Sequence, residues 1–345
     1  MTRTLIRRLR KRISQALLSQ PKRDTVASAP NDTKFFEQRI SEIISRFEVS
    51  ASNLLNNFHQ RMDQVVSRQI ASANDRFRAQ QLVLRKETEG LRAAVLVDTP
   101  MNPCIHGYKV FAQTDEDGII ENILARIPGH SKTFIEIGCG NGLENNTHFL
   151  LLKGYRGCWI DGSADSIGFI EQGLAGRQFD ELFVQQQFVD RDNVTKILID
   201  LCDFIGTREP GVFSLDIDGN EYDVLTASLE KLQPSVICIE YNAKFPPPFV
   251  VAMRYDAKHT WAGDDYHGAS LQALCNLLGD YKLVTCNLSG VNAFFVRKDH
   301  AAHFADYTAE QLYQPFREEL IDLRTEHRPS LKWLRDKLHP HQSRS

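Results

Sequence analysis

Paired cysteines and long apolar runs are missing from this sequence. Its seven cysteines are scattered without a C-x-x-C pair, so the sequence predicts neither a disulfide framework nor a zinc site. They are typical of reduced core thiols in a cytoplasmic protein. No stretch reaches the roughly 18 apolar residues that a membrane span needs, so we expect no helix that crosses a bilayer.

Net charge is also nearly absent. The 41 Lys and Arg and 44 Asp and Glu leave a formal charge of -3, which gives no reason to expect a nucleic-acid partner. Apolar residues make up 42% of the chain, enough for a substantial core. The length suits one large α/β domain with an appendage, or two small domains.

Acidic residues are missing from the first 23 positions, which carry eight Lys and Arg. Apolar residues recur among them at helical spacing, and this pattern predicts a basic amphipathic helix that contacts an anionic membrane surface. An organelle transit peptide and a solvated tail are the alternatives. Arginines interrupt any apolar core of a secretory signal. We expect residues 1–34 to form this segment and a linker.

Glycine and proline are both missing between Asn31 and Gly90. Across residues 35–95, apolar side chains recur at intervals of mostly three, four or seven, with a slip between Leu54 and Met62. This pattern predicts one long helix with an apolar stripe. We expect the stripe to be buried in a coiled coil between copies of the chain. A helical hairpin packed on the catalytic domain is the alternative.

Glycines are concentrated instead in one turn, within residues 133–163. A short apolar strand there leads into Gly138-Cys139-Gly140-Asn141-Gly142, then a helix, then a second strand that ends at Asp161. Strand, glycine turn, helix and strand ending in an acid predict a nucleotide-binding βαβ unit. Leu143 occupies the place where a dinucleotide site has its third glycine, so that class is not favoured.

The spacing Glu136-x-Gly138-x-Gly140-x-Gly142 resembles the first motif of class I S-adenosylmethionine-dependent methyltransferases. The resemblance implies that the glycine turn passes beside the methionine part of the cofactor. It also implies that Asp161 accepts hydrogen bonds from both ribose hydroxyls. A glycine turn in an α/β domain that has lost its cofactor is the alternative.

A narrower resemblance covers about residues 105–297 and leaves the N-terminal third unexplained. Gln113 precedes the helix start E-D-G-I-I, and the later G-Y-R-G-C-W-I-D ends at Asp161; both resemble FkbM-type methyltransferases. That family methylates hydroxyls of sugars, glycans and glycosylated small molecules. The resemblance implies that Gln113 and Thr147 flank the cofactor pocket, although either could instead cap a helix.

The expected cofactor contacts share a position at the glycine turn or at a strand end. Asp190 follows the predicted third strand, 182–189, at a place that commonly faces adenine in this fold. The full set is Gln113, Glu136, Gly138, Gly140, Asn141, Thr147, Asp161, Gly162, Ser163, Asp190 and Asp216.

A second acidic motif, D-x-D-G-x-E, ends the predicted strand 212–218. Alternation along a strand would place Asp216 and Asp218 on one side. Two such carboxylates could share a proton, hold a divalent metal such as Mg²⁺, or orient a substrate hydroxyl. Glu221 could cap the helix that follows.

The acceptor site is predicted at the irregular stretch 244–261, which is rich in proline and aromatic residues. Aromatic rings are what a sugar packs on; a lid packed on its own side chains is the alternative. His267 is the favoured general base, with Asp218 or Glu240 as substitutes. His106 and His148 are rival histidines.

The last two strands, within 281–297, are predicted to form a hairpin, as in class I methyltransferases. The predicted fold is therefore a Rossmann-like α/β sheet of seven strands, the last antiparallel. We expect a methyltransferase domain over 105–300 and a helical extension over 301–345. The predicted activity is O-methylation of a saccharide hydroxyl in the cytoplasm. The basic N-terminal segment would allow the enzyme to act at the inner membrane surface. A coiled-coil scaffold that retains the fold is the rival hypothesis.

Overall fold

The computed structural model describes residues 31–174, 179–321 and 330–338. The predicted basic helix and its membrane contact lie outside these ranges. The chain divides into two compact units, Met1–Arg76 and Phe77–Ser345. No helix in the described ranges is long and apolar enough to cross a membrane.

One helix, α1, runs from Asn31 to Asp98 over 68 residues. This confirms the prediction of a long helix. Over 31–76 the apolar stripe lies open among the described residues, and Phe47 and Leu54 are each about 70% exposed. The C-terminal part is different, because Leu84 is buried and Leu91 and Val95 pack on the core of the second unit.

The second unit is built on a seven-stranded sheet of order β3-β2-β1-β4-β5-β7-β6. Strands β1 to β5 are parallel, and β7 is antiparallel to both β5 and β6. The antiparallel strand confirms the predicted fold class. The strands are Thr133–Ile137, Arg156–Asp161, Leu182–Gln186, Val212–Leu215, Val236–Glu240, Tyr281–Cys286 and Asn292–Arg297.

Helices cover both faces of this sheet. After α1, the helices α2 to α10 are Glu116–Arg126, His148–Leu152, Ala164–Gly173, Val194–Ile205, Glu221–Ser228, Leu271–Leu277, Ala309–Leu312, Glu318–Ile321 and Lys332–Leu338. Short 3-10 helices lie at Pro103–His106 and Lys298–His303. Alternation along β1 sends Ile135 and Ile137 to the core under α5 to α7, and Phe134 to the core under α2 to α4.

Two strands end earlier than the sequence predicted. Strand β4 stops at Leu215 rather than at Asp218, because Asp218 has a φ of 55°, outside the extended region. Strand β3 stops at Gln186 rather than at Val189. The order of strands reverses between β1 and β4, so their carboxyl ends open a crevice at a topological switch point.

Two glycines test how tightly the sheet packs. A Cβ on Gly157 of β2 would lie 2.4 Å from the ring of Phe134, whereas one on Gly168 of α4 meets nothing within 4 Å. We expect Gly157→Ala to lower the free energy of unfolding by about 1–3 kcal/mol through overpacking. Gly168→Ala should raise it by about 0.5–1 kcal/mol, because alanine favours the helix. Urea denaturation of both variants measures the difference, and equal effects would contradict this packing.

Candidate functional site

Two adjoining cavities open at the carboxyl ends of β1, β2 and β4. The larger is about 550 Å³ and the smaller about 130 Å³, and Gln113, Gly138, Gly140 and Asp216 line both. The larger is also lined by Ile137, Asp161, Gly162, Ser163, Gln187, Phe188, Val189, Ile217, Asp218, Asn220, His259 and Thr260. The smaller adds Glu136, Cys139, Asn141, Glu144, Asn145, Asn146 and Asn292.

A close backbone approach requires glycine at position 138, the first glycine of the turn. Gly138 has a φ of 87°, and a Cβ there would lie 1.5 Å from the carbonyl oxygen of Asp216. The N–H groups of Gly138 and Cys139 donate to the Ile160 carbonyl. The turn is thus held between β2 and β4, with its backbone facing the cavities.

Asp161 fixes the rim of the larger cavity. Its Oδ2 accepts from the Gly140 N–H at 2.8 Å, and its Oδ1 accepts from the Ser163 N–H at 2.7 Å. Each oxygen keeps a further acceptor position, and the side chain is half-buried. The carboxylate is therefore held in one orientation beside the turn.

Glu136 is buried beneath the smaller cavity. It accepts from Asn145 Nδ2, from the N–H groups of Asn146 and Thr147, and from the Thr147 hydroxyl. Burial nevertheless raises the pKa of Glu136 to about 7. Thr147 is fully buried, also accepts from Trp159 Nε1, and lines neither cavity. Its hydroxyl thus supports Glu136 and makes no capping bond.

Asp216, Asp218 and Glu240 come together at the ends of β4 and β5. One oxygen from each lies within 4.8 Å of the others. The reason is not the strand alternation expected from sequence, since β4 ends before Asp216. The turn after β4, with Asp218 at positive φ, brings the two aspartates together. Strand pairing then places Glu240 beside them.

The environment of these acids disfavours their charged forms. Burial, and then the neighbouring carboxylates, raise the pKa of Asp216 and of Glu240 well above the usual range. Glu221 is buried nearby and accepts from the N–H groups of Ile217 and Gly219, so it closes the turn and begins α6. Within the described ranges, no Lys or Arg forms an ion pair with any of them.

His267 lies beside the acidic cluster, and neither His267 nor Glu240 lines the two donor cavities. Its Nδ1 is 4.0 Å from Glu240 Oε2, and neither atom has a hydrogen-bond partner among the described residues. Burial lowers the pKa of His267, so the ring is mainly neutral at pH 7. Its ring meets Trp261 edge-on at 6.0 Å between centroids. Helix α7 begins four residues later, at Leu271, where Ser270 caps it.

The rival histidines lie elsewhere. His148 is buried in the core, where its Nδ1 donates to the Gly142 carbonyl and its ring stacks on Phe111. Burial lowers the pKa of His148 to about 4. His106 is exposed in a 3-10 helix and lines neither cavity. Neither position suits a base at this site.

Asp190 lines neither cavity. Its Oδ1 accepts the N–H groups of Asp192 and Asn193, so the side chain closes the turn before α5. The residues just before it, Gln187 to Val189, line the larger cavity instead. Sequence analysis placed the contact at the acid, whereas the strand ends four residues earlier.

Sequence analysis also missed Asn220, His259 and Thr260. His259 packs on Gly219, where an added Cβ would lie 2.2 Å from its ring, and its Nε2 is buried without a partner. Its place within the aromatic stretch 244–261 was the available signal. In that stretch Phe245 stacks on Phe249, which fits the lid alternative, while Trp261 is half-exposed near His267.

The chain is similar to known proteins in sequence and in fold. Residues 108–276 match the model of the methyltransferase FkbM domain. No curated protein sequence matches the chain. Similar solved structures include an O-methyltransferase from Bacillus cereus, at 13% identity and a TM-score of 0.35, covering 62% of this chain and 90% of that one.

Two further structures are similar at the same level. The CurJ carbon methyltransferase shares 14% identity with a TM-score of 0.35, and this chain spans about half of it, 54% of each chain being covered. The magnesium protoporphyrin IX methyltransferase from Synechocystis PCC 6803 shares 12% identity with a TM-score of 0.34, covering 54% of this chain and 83% of that one.

The raised pKa values of Asp216 and Glu240 predict how stability depends on pH. The folded protein keeps protons that the unfolded chain releases above about pH 4, so the free energy of unfolding falls as pH rises from there. Glu240→Gln removes one of these groups and its repulsion of the other. The variant should therefore melt at a higher temperature than the parent at pH 8, by less at pH 5.

Thermal melts without ligand, in the presence of a metal chelator, test this expectation. Glu230→Gln is the matched control, because Glu230 is exposed at the far end of α6. A Glu240→Gln melting curve with the same pH dependence as the parent would contradict the description of the cluster.

Proposed function

Residues 108–276 form a methyltransferase domain of the FkbM type, and we propose that the chain is an S-adenosylmethionine-dependent O-methyltransferase acting on a sugar, glycan or glycosylated small molecule. The observation that carries the proposal is the pairing of a glycine turn with uncompensated carboxylates at one crevice. The fold itself is compatible with methyl transfer to carbon, nitrogen or oxygen. The acceptor class therefore depends on the residues around the donor.

The donor fits the charge of the crevice. S-adenosylmethionine carries a positive sulfonium and an ammonium group, and the cavity wall carries Asp161, Asp216 and Asp218 with Glu240 beside them. A bound cation would offset the repulsion that raises the pKa values of these acids. Asp161 has free acceptor positions for ribose hydroxyls. The turn at Gly138 and Gly140 leaves room for the rest of the donor.

The acceptor hydroxyl needs a base, and His267 with Glu240 meets that need. Bound S-adenosylmethionine would supply an electrophilic methyl group and leave as S-adenosylhomocysteine. His267 would take the hydroxyl proton at Nε2, because its Nδ1 is buried against Glu240 Oε2, 4.0 Å away. The Glu240 carboxylate would stabilise the imidazolium that forms. Asp218 is the alternative base, since it is exposed at the cavity mouth.

Two features favour a saccharide as acceptor. Trp261 and Tyr266 are each about half exposed beside the site and offer flat apolar faces for a sugar ring. Asp218 and Thr260 add polar groups in the larger donor cavity nearby. This combination of aromatic faces with polar edges suits a ligand whose rings carry many hydroxyls.

The acidic cluster also suits a divalent cation. Asp216, Asp218 and Glu240 offer three carboxylate oxygens in a small space, and Mg²⁺ prefers oxygen ligands. A metal there would favour ionisation of the acceptor hydroxyl. Activity assays with Mg²⁺ and with chelator decide whether the acids hold a metal or act alone.

The donor site predicts the effect of Asp161→Ala. Calorimetric titration of the parent with S-adenosylhomocysteine should give micromolar binding, and the variant should bind at least about tenfold more weakly, or about 1.4 kcal/mol. The loss follows from the ribose contacts and from release of the Gly140 and Ser163 N–H groups.

Asp203→Ala, an exposed acid on α5, is the control and should bind as the parent does. If the folded parent binds neither S-adenosylhomocysteine nor S-adenosylmethionine, the enzyme proposal fails. The scaffold hypothesis would then be the better account of the chain.

We also propose that α1 joins copies of the chain through its N-terminal part. Ile43, Phe47, Leu54 and Phe58 follow one face of the helix and are all at least 60% exposed in the described structure. At 100° per residue, the arginines at 39, 46 and 68 follow one edge of this stripe, and Arg61 lies in line with Ile43. A parallel pair brings opposite edges together, whereas an antiparallel pair would place arginine edge against arginine edge.

Self-association predicts the effect of Phe58→Glu. A charge at the centre of the stripe should lower the mass measured by light scattering from that of an oligomer towards that of the monomer. Gln60→Glu adds the same charge off the stripe and should leave the mass unchanged. A monomeric parent at tens of micromolar would refute the assembly.

A further inference from the structure

A third cavity, of about 300 Å³, lies beside the C-terminal part of α1 within the second unit. It shares the segment 109–115 with the donor site: Gln113 faces the donor cavities, while Lys109, Thr114 and Asp115 line the third cavity. Its remaining lining residues are Gln81, Arg85, Thr88, Glu89, Arg92, Leu288, Ser289 and Leu320. The proposed methyl transfer uses none of these side chains.

Basic side chains outnumber acidic ones along this cavity. Arg85, Arg92 and Lys109 line it, against the acids Glu89 and Asp115. Lys109 is paired with Glu144, so the two arginines are the cationic groups left for a ligand. Asp115 Oδ2 is buried without a partner, and burial raises the pKa of this acid to about 7.

The two arginines have donors to spare. Neither Arg85 nor Arg92 forms an ion pair within the described ranges. Arg92 donates from Nη2 to the Gly107 carbonyl, and its Nε is buried without a partner. The guanidinium nitrogens available to an oxyanion are therefore the terminal ones of Arg85 and Arg92 that make no hydrogen bond within the described ranges.

We propose that this cavity binds an oxyanion, as a phosphate or carboxylate group of a small molecule. Arg85 and Arg92 supply charged donors, while Leu288 and Leu320 supply an apolar wall for the rest of the ligand. The volume lies at the small end of ligand sites. The anion belongs either to a remote part of the acceptor or to a separate effector.

Lys109 provides a physical link to the donor site. Its Nζ donates to the Gln113 carbonyl at 2.8 Å and lies 3.2 Å from Glu144 Oε1. Gln113 and Glu144 both line the smaller donor cavity. An anion that draws Lys109 away from these contacts would couple its binding to donor binding reciprocally, whereas an anion held by Arg85 and Arg92 alone would leave donor binding unchanged.

Inorganic phosphate is the probe for the site itself. Calorimetry and thermal melts of the full chain compare phosphate with chloride at equal ionic strength, in the parent, in Arg85→Gln and in Arg78→Gln. Arg85 is exposed, so its loss should not disturb folding. Arg78, two turns earlier on the same face of α1, does not line the cavity and is the matched control.

We expect phosphate to raise the melting temperature of the parent and of Arg78→Gln, and to bind Arg85→Gln at least about fivefold more weakly. No binding by the parent at tens of millimolar, or equal binding by all three proteins, would overturn the proposal. These readouts need no methyl donor, so they are independent of the proposed methyltransferase activity.

The affinity for S-adenosylhomocysteine, measured with and without phosphate, distinguishes the two sources. A separate effector predicts that phosphate changes this affinity in the parent but not in Lys109→Gln. An anchor for the acceptor's own anionic group predicts phosphate binding with the donor affinity unchanged. Both results keep the anion site and differ only in which molecule carries the anion.

Discussion

The buried carboxylate of Glu136 is the constraint on which the donor site depends. It sits in the middle of the first strand, where an unsatisfied charge would be costly, and four donors from residues 145–147 converge on it. These bonds fix the loop that leads from the glycine turn into α3. Thr147 also accepts a hydrogen bond from Trp159 in β2, and Asn146 Nδ2 donates one to Ser214 in β4. One side chain thus ties three strands to the turn.

Glu116 is a second buried carboxylate that fixes a segment of the chain through hydrogen bonds, on the other side of the crevice. It accepts from the Thr114 N–H and hydroxyl, and from the side-chain amides of Asn287 and Asn292. These bonds join the segment carrying Gln113 to the β6–β7 hairpin. Asp117 adds to the same segment, since its Oδ2 accepts three successive N–H groups, from Val110 to Ala112. Two buried acids therefore hold the segment 110–114, which carries Gln113, in place.

The features of the donor site that could be predicted are those set by residues close together in the sequence. The glycine turn and Asp161 were predictable, because their spacing follows from one βαβ unit. The antiparallel final strand was also predictable from the hairpin pattern. Thr147 was placed near the right element, but its burial behind Glu136 depends on Trp159, which lies in another strand.

The rest of the site could not be predicted, because it depends on distant parts of the chain. Glu240 joins Asp216 and Asp218 only because β5 pairs with β4. His259 reaches the cavity only through the path of an irregular loop, which no periodic pattern specifies. Asp190 was assigned from its position at a strand end, but that strand ends four residues earlier and the acid closes a turn instead.

Several groups at the crevice are energetically unfavourable, and they favour an enzyme over a scaffold. A scaffold needs the sheet and the helices, but it gains nothing from three mutually repelling carboxylates with raised pKa values at a solvent-open crevice. Such a cluster destabilises the fold unless a cation or protons offset it. The unpartnered Nδ1 of His267 and the positive φ of Asp218 are also unfavourable, and a scaffold gains nothing from either. Unfavourable features gathered around the ends of β4 and β5 favour a site that is completed by a cationic ligand, and a sulfonium donor has that charge.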